Sequence, residues 1–361
     1  MEELRRNCDF AGLIILSDGL TEIGRNAFWN CGNLKTVVIP DSVTKIGPSA
    51  FWWCSGLKSI NLPHELTEIG REAFFMCGNL ETVVIPETVT KIGLGAFEGS
   101  GLKSITLLDG RLTEIVEKTF HACGNLETVV IPETVTKIGP DAFAWSGLKS
   151  ITLPHGLTEI GNGAFNHCRK LENVAIPETV TKINPNAFNY SGLKSITLPH
   201  GLTEIGEGVF SECCNLETVV IPEMITKIGR SAFWRSGLKS ITLLDGRLTE
   251  IGESTFCGCY KLETIVIPNS ITKIGPLAFA YSGLKSIILP DGLTEIGEST
   301  FYRCGNLETV VIPKTVTKIG PYAFAESGLK SIILPDGQLT KIGENAFYGC
   351  SNLVRNQPCG L

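Results

Sequence analysis

Leu66 to Pro86, with the sequence LTEIGREAFFMCGNLETVVIP, decides the fold, because edited copies of this stretch fill most of the chain. Each copy has a phenylalanine that follows a small residue, a leucine five or six positions later, and an alternating apolar tail that usually ends in proline. A repeat of this length is typical of a solenoid, in which each coil stacks on the previous one. The phenylalanine column, with steps of 22 or 23 residues, consists of Phe28, Phe51, Phe74, Phe97, Phe120, Phe143, Phe165, Phe188, Phe210, Phe233, Phe256, Phe279, Phe301, Phe324 and Phe347.

The composition excludes several classes of protein. The chain has 361 residues, of which 43% are hydrophobic, as expected for a folded protein rather than a disordered one. The net charge is −6 and no basic stripe is present, so we expect no nucleic-acid partner. Apolar runs fall short of the roughly 20 residues that a membrane helix needs, so we expect no membrane insertion.

The repeat predicts one elongated array in place of the two or three domains that this length usually holds. Residues 1–19 form a partial repeat that serves as an N-terminal cap, residues 20–353 form the array, and residues 354–361 form a degenerate tail. The start of the chain lacks the pattern of a signal peptide, because its acidic residues come first and its apolar stretch is short. This leaves open an intracellular protein or one whose leader precedes this sequence.

Each coil is predicted to have three parts. Residues 34–39 alternate in the manner of a strand, which Pro40 ends because proline cannot donate to a ladder. Residues 43–46 form a second, shorter extended piece. Residues 47–54 contain Gly47 for a turn and Pro48 at a position that helix starts tolerate. We therefore expect a short helical or 3₁₀ turn that inserts Phe51 into the core.

Coils alternate between two types, so the duplicated unit has about 45 residues. The alternation places opposite charges in neighbouring coils and predicts that charge helps to fix the register. The first charge row, which follows the strand leucine, is Lys58, Glu81, Lys103, Glu127, Lys149, Glu172, Lys194, Glu217, Lys239, Glu263, Lys285, Glu308 and Lys330. The second charge row is Glu22, Lys45, Glu68, Lys91, Glu114, Lys137, Glu159, Lys182, Glu204, Lys227, Glu250, Lys273, Glu295 and Lys318.

Nine of the thirteen cysteines share one slot, three residues after a column phenylalanine, and serine fills that slot in the other coils. Cysteines two coils apart lie about 10 Å apart, which is too far for a disulfide. Only Cys31, Cys54 and Cys77 occupy consecutive coils. We therefore predict buried, reduced thiols and a reducing compartment.

No constellation of catalytic, cofactor-binding or metal-binding residues stands out. His64, His155 and His200 share a turn slot with aspartates, and no second ligand accompanies His121 or His167. The close cysteine pairs at 213–214 and 257–259 lack a matching pair at zinc spacing. We predict no enzyme activity, no cofactor and no metal.

The motif Leu-x-x-Val/Ile-x-Ile/Leu-Pro-x-x-Val/Leu-Thr-x-Ile-Gly-x-x-Ala-Phe-x-x-Cys resembles the BspA-like leucine-rich repeat family, and it covers nearly the whole chain. The resemblance implies an α/β fold: a right-handed leucine-rich repeat solenoid of about 15 coils, with a parallel sheet on its inner face and short helical turns outside. It also implies non-enzymatic protein binding, often at a bacterial or protozoan cell surface. In place of the asparagine of other leucine-rich repeats stands a hydroxyl residue such as Ser42, Thr88 or Thr134.

Two surfaces are candidates for binding. The first is the outward side of the predicted sheet, which is small, uncharged and mildly apolar, although the same residues are also simply good strand formers. The second lies beside the phenylalanine column, where all five tryptophans follow a column phenylalanine by one or two residues and either bind a partner or fill space. The candidate partner-binding residues on the sheet are Thr82, Val84, Ser104, Thr106, Thr128, Val130, Ser150, Thr152, Ser195, Thr197, Thr218 and Val220.

The leading hypothesis is a non-enzymatic, adhesin-like scaffold that binds a host or matrix protein over the sheet face. Two alternatives stay open. Regular threonine columns, which include Thr21, Thr44 and Thr67, suggest an ice-binding surface, although the neighbouring charges oppose it. The similarity of the copies also fits a purely structural repeat protein. Nothing in the pattern specifies an oligomeric state.

Overall fold

A computed structural model describes residues 12–336 and 338–353. The fold is a leucine-rich repeat β-solenoid of about 14 turns with parallel strands. The fifteen phenylalanines of the column mark fifteen coils, and consecutive phenylalanines enclose one turn each, which gives fourteen. The chain divides into two compact units, Met1–Val180 and Thr181–Leu361. The predicted cap and tail fall largely on residues 1–11 and 354–361, outside the described residues.

The described part of the first unit contains two rows of parallel strands. In the long row, β1 pairs with β3, and β6, β8, β10 and β12 form a four-stranded sheet. In the short row, β2, β4, β5 and β7 form one sheet, and β9, β11 and β13 are hydrogen-bonded in that order. The strands are β1 (Gly12–Ile15), β2 (Glu22–Ile23), β3 (Leu34–Val38), β4 (Lys45–Ile46), β5 (Glu68–Ile69), β6 (Thr82–Ile85), β7 (Lys91–Ile92), β8 (Ser104–Leu107), β9 (Glu114–Ile115), β10 (Thr128–Val130), β11 (Lys137–Ile138), β12 (Ser150–Thr152) and β13 (Glu159–Ile160).

The described part of the second unit repeats both rows. In the long row β16 pairs with β18 and β22 with β24. In the short row, β14, β15 and β17 are joined, as are β19, β20, β21, β23 and β25. The strands are β14 (Lys182–Ile183), β15 (Glu204–Ile205), β16 (Thr218–Ile221), β17 (Lys227–Ile228), β18 (Ser240–Leu243), β19 (Glu250–Ile251), β20 (Lys273–Ile274), β21 (Glu295–Ile296), β22 (Thr309–Val311), β23 (Lys318–Ile319), β24 (Ser331–Ile333) and β25 (Lys341–Ile342).

The short row places opposite charges side by side, as the second charge row predicts. Glu22 is in register with Lys45, Lys45 with Glu68, and Glu68 with Lys91. Glu68 lies 3.0 Å from the Nζ of Lys91, and the hydrogen bond from that lysine lowers the pKa of Glu68. The alternation ends in β25, where Lys341 is in register with Lys318 and like charges meet.

The phenylalanine column forms a stack of nearly parallel rings in the core of each unit. Successive ring centroids lie 5.1–5.7 Å apart from Phe28 to Phe165. In the second unit they lie 5.1–5.9 Å apart from Phe188 to Phe347. The rings between the ends of each stack are fully buried. Each coil therefore covers the aromatic ring of its neighbour, as the repeat predicts.

The predicted helical turns are wrong, because the described residues contain no helix. In the 49–54 segment, alternate amides of Ser49, Phe51 and Trp53 donate 2.8 Å hydrogen bonds to carbonyls of the next coil, rather than to the same turn. The amides between them make short local bonds, as from Cys54 to Phe51 at 3.2 Å. A helix would need every amide for its own i−4 carbonyl.

The backbone of these turns also departs from helical geometry. In nearly every coil, the residues two before and two after the column phenylalanine have a positive φ, as at Ser49 (55°) and Trp53 (57°). Single residues adopt this left-handed conformation, but it interrupts a right-handed helix. Pro48 thus begins a series of turns that carries the phenylalanine inward while its backbone bonds to the adjacent coil.

Hydroxyl side chains also link neighbouring coils by hydrogen bonds. Thr88 donates to the carbonyl of Leu66 at 2.7 Å, and Thr134 donates to that of Leu112 at 2.7 Å. Ser42 makes the equivalent bond to Leu20 at 2.8 Å. These hydroxyls satisfy a carbonyl that the strand ladder leaves unpaired.

In short coils the strand leucine comes five residues after the column phenylalanine, and in long coils it comes six residues after. The two kinds of coil differ in how closely their backbones approach the preceding coil. In the short coil, the amide of Gly101 donates to the carbonyl of Cys77 at 3.1 Å. A Cβ at Gly101 would lie only 2.0 Å from the carbonyl oxygen of Gly78. A Cβ at Gly78, in the long coil before it, would meet no atom within 4 Å. Glycine is therefore required at position 101, whereas position 78 has room for a side chain.

We predict that Gly101→Ala lowers the free energy of unfolding by about 2–3 kcal/mol, because the backbones of two coils must separate to admit the methyl group. The matched variant Gly78→Ala should change it by less than about 0.5 kcal/mol. Urea unfolding followed by circular dichroism measures both values. Equal stability of the two variants would contradict the close approach of the coils at Gly101.

Candidate functional site

The strand face, defined as the outward residues of the long strand row, carries all twelve candidate residues. Each of them is exposed, and each is separated from the next along its strand by a buried residue. In the first unit, Thr82 is in register with Ser104 and Val84 with Thr106. The strands β10 and β12 continue this pairing, so hydroxyl and small apolar side chains form adjoining columns. The predicted exposure is confirmed, and binding at this face stays a prediction.

Part of the strand face in the second unit forms a shallow cavity of about 340 Å³. Four candidate residues line it, namely Ser195, Thr197, Thr218 and Val220, together with Ile196, Leu198, His200, Val219, Pro222 and Leu244. Leu244 stands where most coils have proline, and it is 44% exposed. Its amide donates to the carbonyl of Ile221 at 3.2 Å, a bond that proline could not make.

The most apolar part of the strand face lies outside the twelve candidate residues. Val266, Ile288, Val311 and Ile333 follow one another in consecutive coils, and they are 58–72% exposed. We call these four residues the apolar stripe. A sequence signal was available, because the segment Ser-Ile-Thr-Leu at residues 240–243 becomes Ser-Ile-Ile-Leu at 286–289 and 331–334. Isoleucine thus replaces an outward threonine twice near the end of the array.

The first charge row borders the strand face and is paired across coils. Lys103 lies 3.0 Å from Glu81, and Lys149 lies 2.8 Å from Glu127. In the second unit Lys239 lies 2.7 Å from Glu217. The hydrogen bonds from lysine hold the pKa of Glu127 and Glu217 below its ordinary value. This border is alternating rather than basic, which suits a protein surface better than a phosphate backbone.

The aromatic residues beside the phenylalanine column pack mainly on one another. The ring of Trp52 stacks on Trp29 at 5.2 Å and on Phe75 at 5.5 Å. Trp145 stacks on His167 with ring centroids 3.7 Å apart. Trp145 is nevertheless 51% exposed. These contacts support the space-filling interpretation for Trp52 and leave Trp145 with an accessible face.

The threonine columns that suggest ice binding use their hydroxyl protons inside the protein. Both the amide and the hydroxyl of Thr67 donate to the carbonyl of Thr44, at 2.8 and 3.0 Å. The same hydroxyl bond recurs along both units at 3.0–3.5 Å. A hydroxyl held in this way can only accept from water, which weakens the case for a water-ordering surface.

The cysteine column is structural. Each described thiol donates to the carbonyl of the column phenylalanine one coil earlier, as Cys168 does to Phe143 at 3.1 Å. In alternate coils a serine hydroxyl contacts the next thiol, as Ser146 contacts Cys168 at 3.3 Å. Burial raises the pKa of Cys168 to about 12, so the thiol stays protonated at neutral pH. Such thiols are poor nucleophiles and poor metal ligands.

The prediction of reduced thiols holds for ten free cysteines but is wrong for Cys31, which is disulfide-bonded. The spacing argument considered only the column cysteines, and it does not account for this bond because Cys54 and Cys77, in the next two coils, are both free. Cys214 differs in another way, since it is exposed beside Glu212 and Arg235.

The described residues include no group of three or more histidine, cysteine, aspartate or glutamate side chains that could hold a metal ion. His155 instead contacts the carboxylate of Glu133 at 3.2 Å, and the Nδ1 of His121 lies 3.1 Å from Glu98. Burial lowers the pKa of His167, which stacks on Trp145. Nowhere in residues 12–336 and 338–353 is there a helix with the length and hydrophobicity to cross a bilayer.

The sequence profile of the BspA type leucine-rich repeat region matches residues 6–123, 113–239 and 226–354. The crystal structure of a leucine-rich repeat protein from Bacteroides ovatus is similar, with a TM-score of 0.73 and 27% identity over 94% of this chain and 85% of that protein. A leucine-rich repeat protein from Eubacterium ventriosum shares the fold, with a TM-score of 0.53 and 24% identity over 85% and 86%. No curated protein sequence matches this chain.

The buried thiols predict a loss of stability at alkaline pH. The ordinary thiol pKa is 9.0, and burial raises it to about 12 at Cys168. Above pH 9 the unfolded chain loses this proton while the folded chain keeps it, so unfolding becomes easier by up to about 1.4 kcal/mol per pH unit for each such thiol. Stability below pH 9 is unaffected by this group.

We expect Cys168→Ser to reduce the fall in unfolding free energy between pH 9 and pH 11, because serine does not titrate there and already occupies this slot at Ser146. Urea unfolding in the presence of a reductant, repeated at each pH, gives the two profiles. Cys214→Ser is the control at an exposed position and should change the profile less. Parallel profiles for Cys168→Ser and the unmodified chain would contradict the raised pKa.

Proposed function

We propose that this chain, which belongs to the BspA-type leucine-rich repeat family, is a non-enzymatic scaffold that binds a partner protein over its strand face. The observation that carries the proposal is the exposed array of hydroxyl and small apolar side chains on the parallel strands of each unit. Repeat proteins commonly use such extended faces for recognition. The array offers hydroxyl groups for hydrogen bonds and valine side chains for apolar contact in adjoining columns.

The partner we propose is a host or matrix protein, and the role is adhesin-like, at a cell surface. This part rests on the family, whose members are often surface proteins. A protein surface suits the strand face because neighbouring lysine and glutamate side chains neutralise each other along its border. The absence of catalysis is also a proposal, supported by buried thiols whose raised pKa makes them unreactive.

The test compares capture by three forms of the chain. Biotinylated protein is incubated with a detergent extract of surface-labelled epithelial cells and, separately, with purified matrix proteins, and bound proteins are quantified by mass spectrometry. The strand-face variant carries Thr106→Lys, Val130→Lys and Thr152→Lys in adjoining coils. We expect it to lose at least tenfold of the specific capture, because three charges buried by the partner would have no counter-charges.

The matched control carries Thr113→Lys, Thr136→Lys and Thr158→Lys, which add the same charge to exposed residues directly before β9, β11 and β13 in the same unit. The amides at positions 136 and 158 keep their backbone bonds, so the fold should remain, as thermal unfolding would verify. Capture should be retained by the control. The same bound proteins on all three forms would overturn the proposed site. A fourth form, Trp145→Lys, would overturn it as well if this variant alone lost the capture.

A further inference from the structure

We propose that a second copy of this chain docks on the apolar stripe of Val266, Ile288, Val311 and Ile333, so that the protein forms a symmetric dimer. The inference does not rest on the proposed partner, because it uses none of the twelve candidate residues. The four side chains are β-branched, 58–72% exposed and consecutive. From β3 to β18, by contrast, the same column alternates valine or alanine with threonine or asparagine.

The charges beside the stripe indicate what covers it. Glu263, Lys285, Glu308 and Lys330 occupy the same four coils, one residue before the outward hydroxyl column. Lys285 lies 2.7 Å from Glu263, and Lys330 lies 2.7 Å from Glu308. A groove of about 630 Å³ runs along this row and is lined by Lys285, Glu308 and Lys330 with Ser286 and Thr309. Long charged side chains of another protein could enter this groove.

A four-residue row of alternating charge is complementary to its own reversed copy. Consider a two-fold axis that runs parallel to the strands, between the coils of Ile288 and Val311. The second copy then has its coils in the reverse order, and each column of outward residues faces the same column of the other copy. Lys285 then faces Glu308 of the second copy, and Glu263 faces its Lys330. Ile288 likewise faces Val311. An isologous interface needs this kind of self-complementarity, and each pairing occurs twice.

The same charges select the position of the axis. An axis through the coil of Glu308 would place Glu308 opposite itself and Lys285 opposite Lys330, so like charges would meet along the whole row. An axis between coils always sets glutamate against lysine. The central position also brings all four apolar residues into contact. The alternating row therefore favours one arrangement over its nearest competitors.

The size of the stripe sets the expected strength. The contact surface consists of four coils at about 4.8 Å spacing and of three columns, namely the charge row, the hydroxyl column and the apolar stripe. Its area is roughly 350 Å² on each copy. Stable interfaces bury about 800 Å² from each partner. We therefore expect weak, reversible association, with a dissociation constant on the order of 10–100 µM. A dimer of this kind would form where the chain is locally concentrated.

The first experiment is sedimentation velocity on the full chain from about 1 to 300 µM, a range that brackets the expected dissociation constant. The variant Ile288→Thr with Ile333→Thr should weaken association at least tenfold. It should fold normally, because threonine fills the same slot at Thr106, Thr152, Thr197 and Thr242. The control Val84→Thr with Val130→Thr removes two exposed valines of the first unit and should associate like the unmodified chain. A monomer at every concentration, or equal effects of both variants, overturns the proposal.

The second experiment tests the symmetry. Lys285→Glu alone sets two glutamates against each other at both contacts, and Glu308→Lys alone sets two lysines against each other, so each variant should associate at least tenfold more weakly. In an equimolar mixture, the glutamate introduced at position 285 of one variant faces the lysine introduced at position 308 of the other. The second contact of this mixed dimer keeps the original lysine and glutamate, so opposite charges meet at both. We expect the mixture to recover dimerisation to near that of the unmodified chain. A mixture that associates no better than either variant overturns the two-fold arrangement.

Discussion

Hydrogen bonding between the backbones of successive coils is the constraint on which this structure depends. Gly47 donates to Ile23 at 2.7 Å, Thr44 to Thr21 at 2.9 Å, and Phe51 to Ala73 at 2.8 Å, so the strand rows and the turns are all tied to a neighbour. A single coil could neither satisfy these groups nor cover its own phenylalanine. Backbone pairing and ring stacking both need the same 22- or 23-residue step, and therefore enforce one another.

The constraint also explains the small polar side chains of the interior. The carbonyl of the column phenylalanine accepts a hydrogen bond from a nearby amide of its own coil. It accepts a second one from the cysteine thiol of the next coil, with an Sγ–O distance of 2.9–3.1 Å. Short coils have serine in the same slot, and its hydroxyl contacts the thiol of the next coil, as Ser100 contacts Cys123 at 3.3 Å. Glycine follows this serine because the neighbouring backbone is too close for a side chain. The number of cysteines suggests a redox or metal site, but the thiols donate their protons to hydrogen bonds that join neighbouring coils.

The sequence was sufficient to predict the features that a repeated side chain specifies. The spacing predicted the buried rings, proline predicted the strand ends, and alternation predicted the exposure of all twelve strand-face residues. The helical turn was wrong because Pro48 and the acidic residues at equivalent positions also suit a helix start. The deciding feature is a pair of left-handed residues, and these include Trp53 and Met76, whose side chains give no sign of that backbone. Which surface binds could not be predicted, because a periodic pattern offers the same chemistry in many coils.

Departures from the repeat are therefore the most informative part of such a chain. An inward change would disturb the coils on both sides, whereas an outward change alters only what the surface can contact. Ile288 and Ile333 replace a threonine that four equivalent coils retain, and Leu244 replaces a proline. All three are exposed, at 72%, 61% and 44%. A water-exposed isoleucine stabilises a strand about as much as threonine does. A contact with another molecule therefore explains these exposed apolar residues better than the stability of the solenoid does.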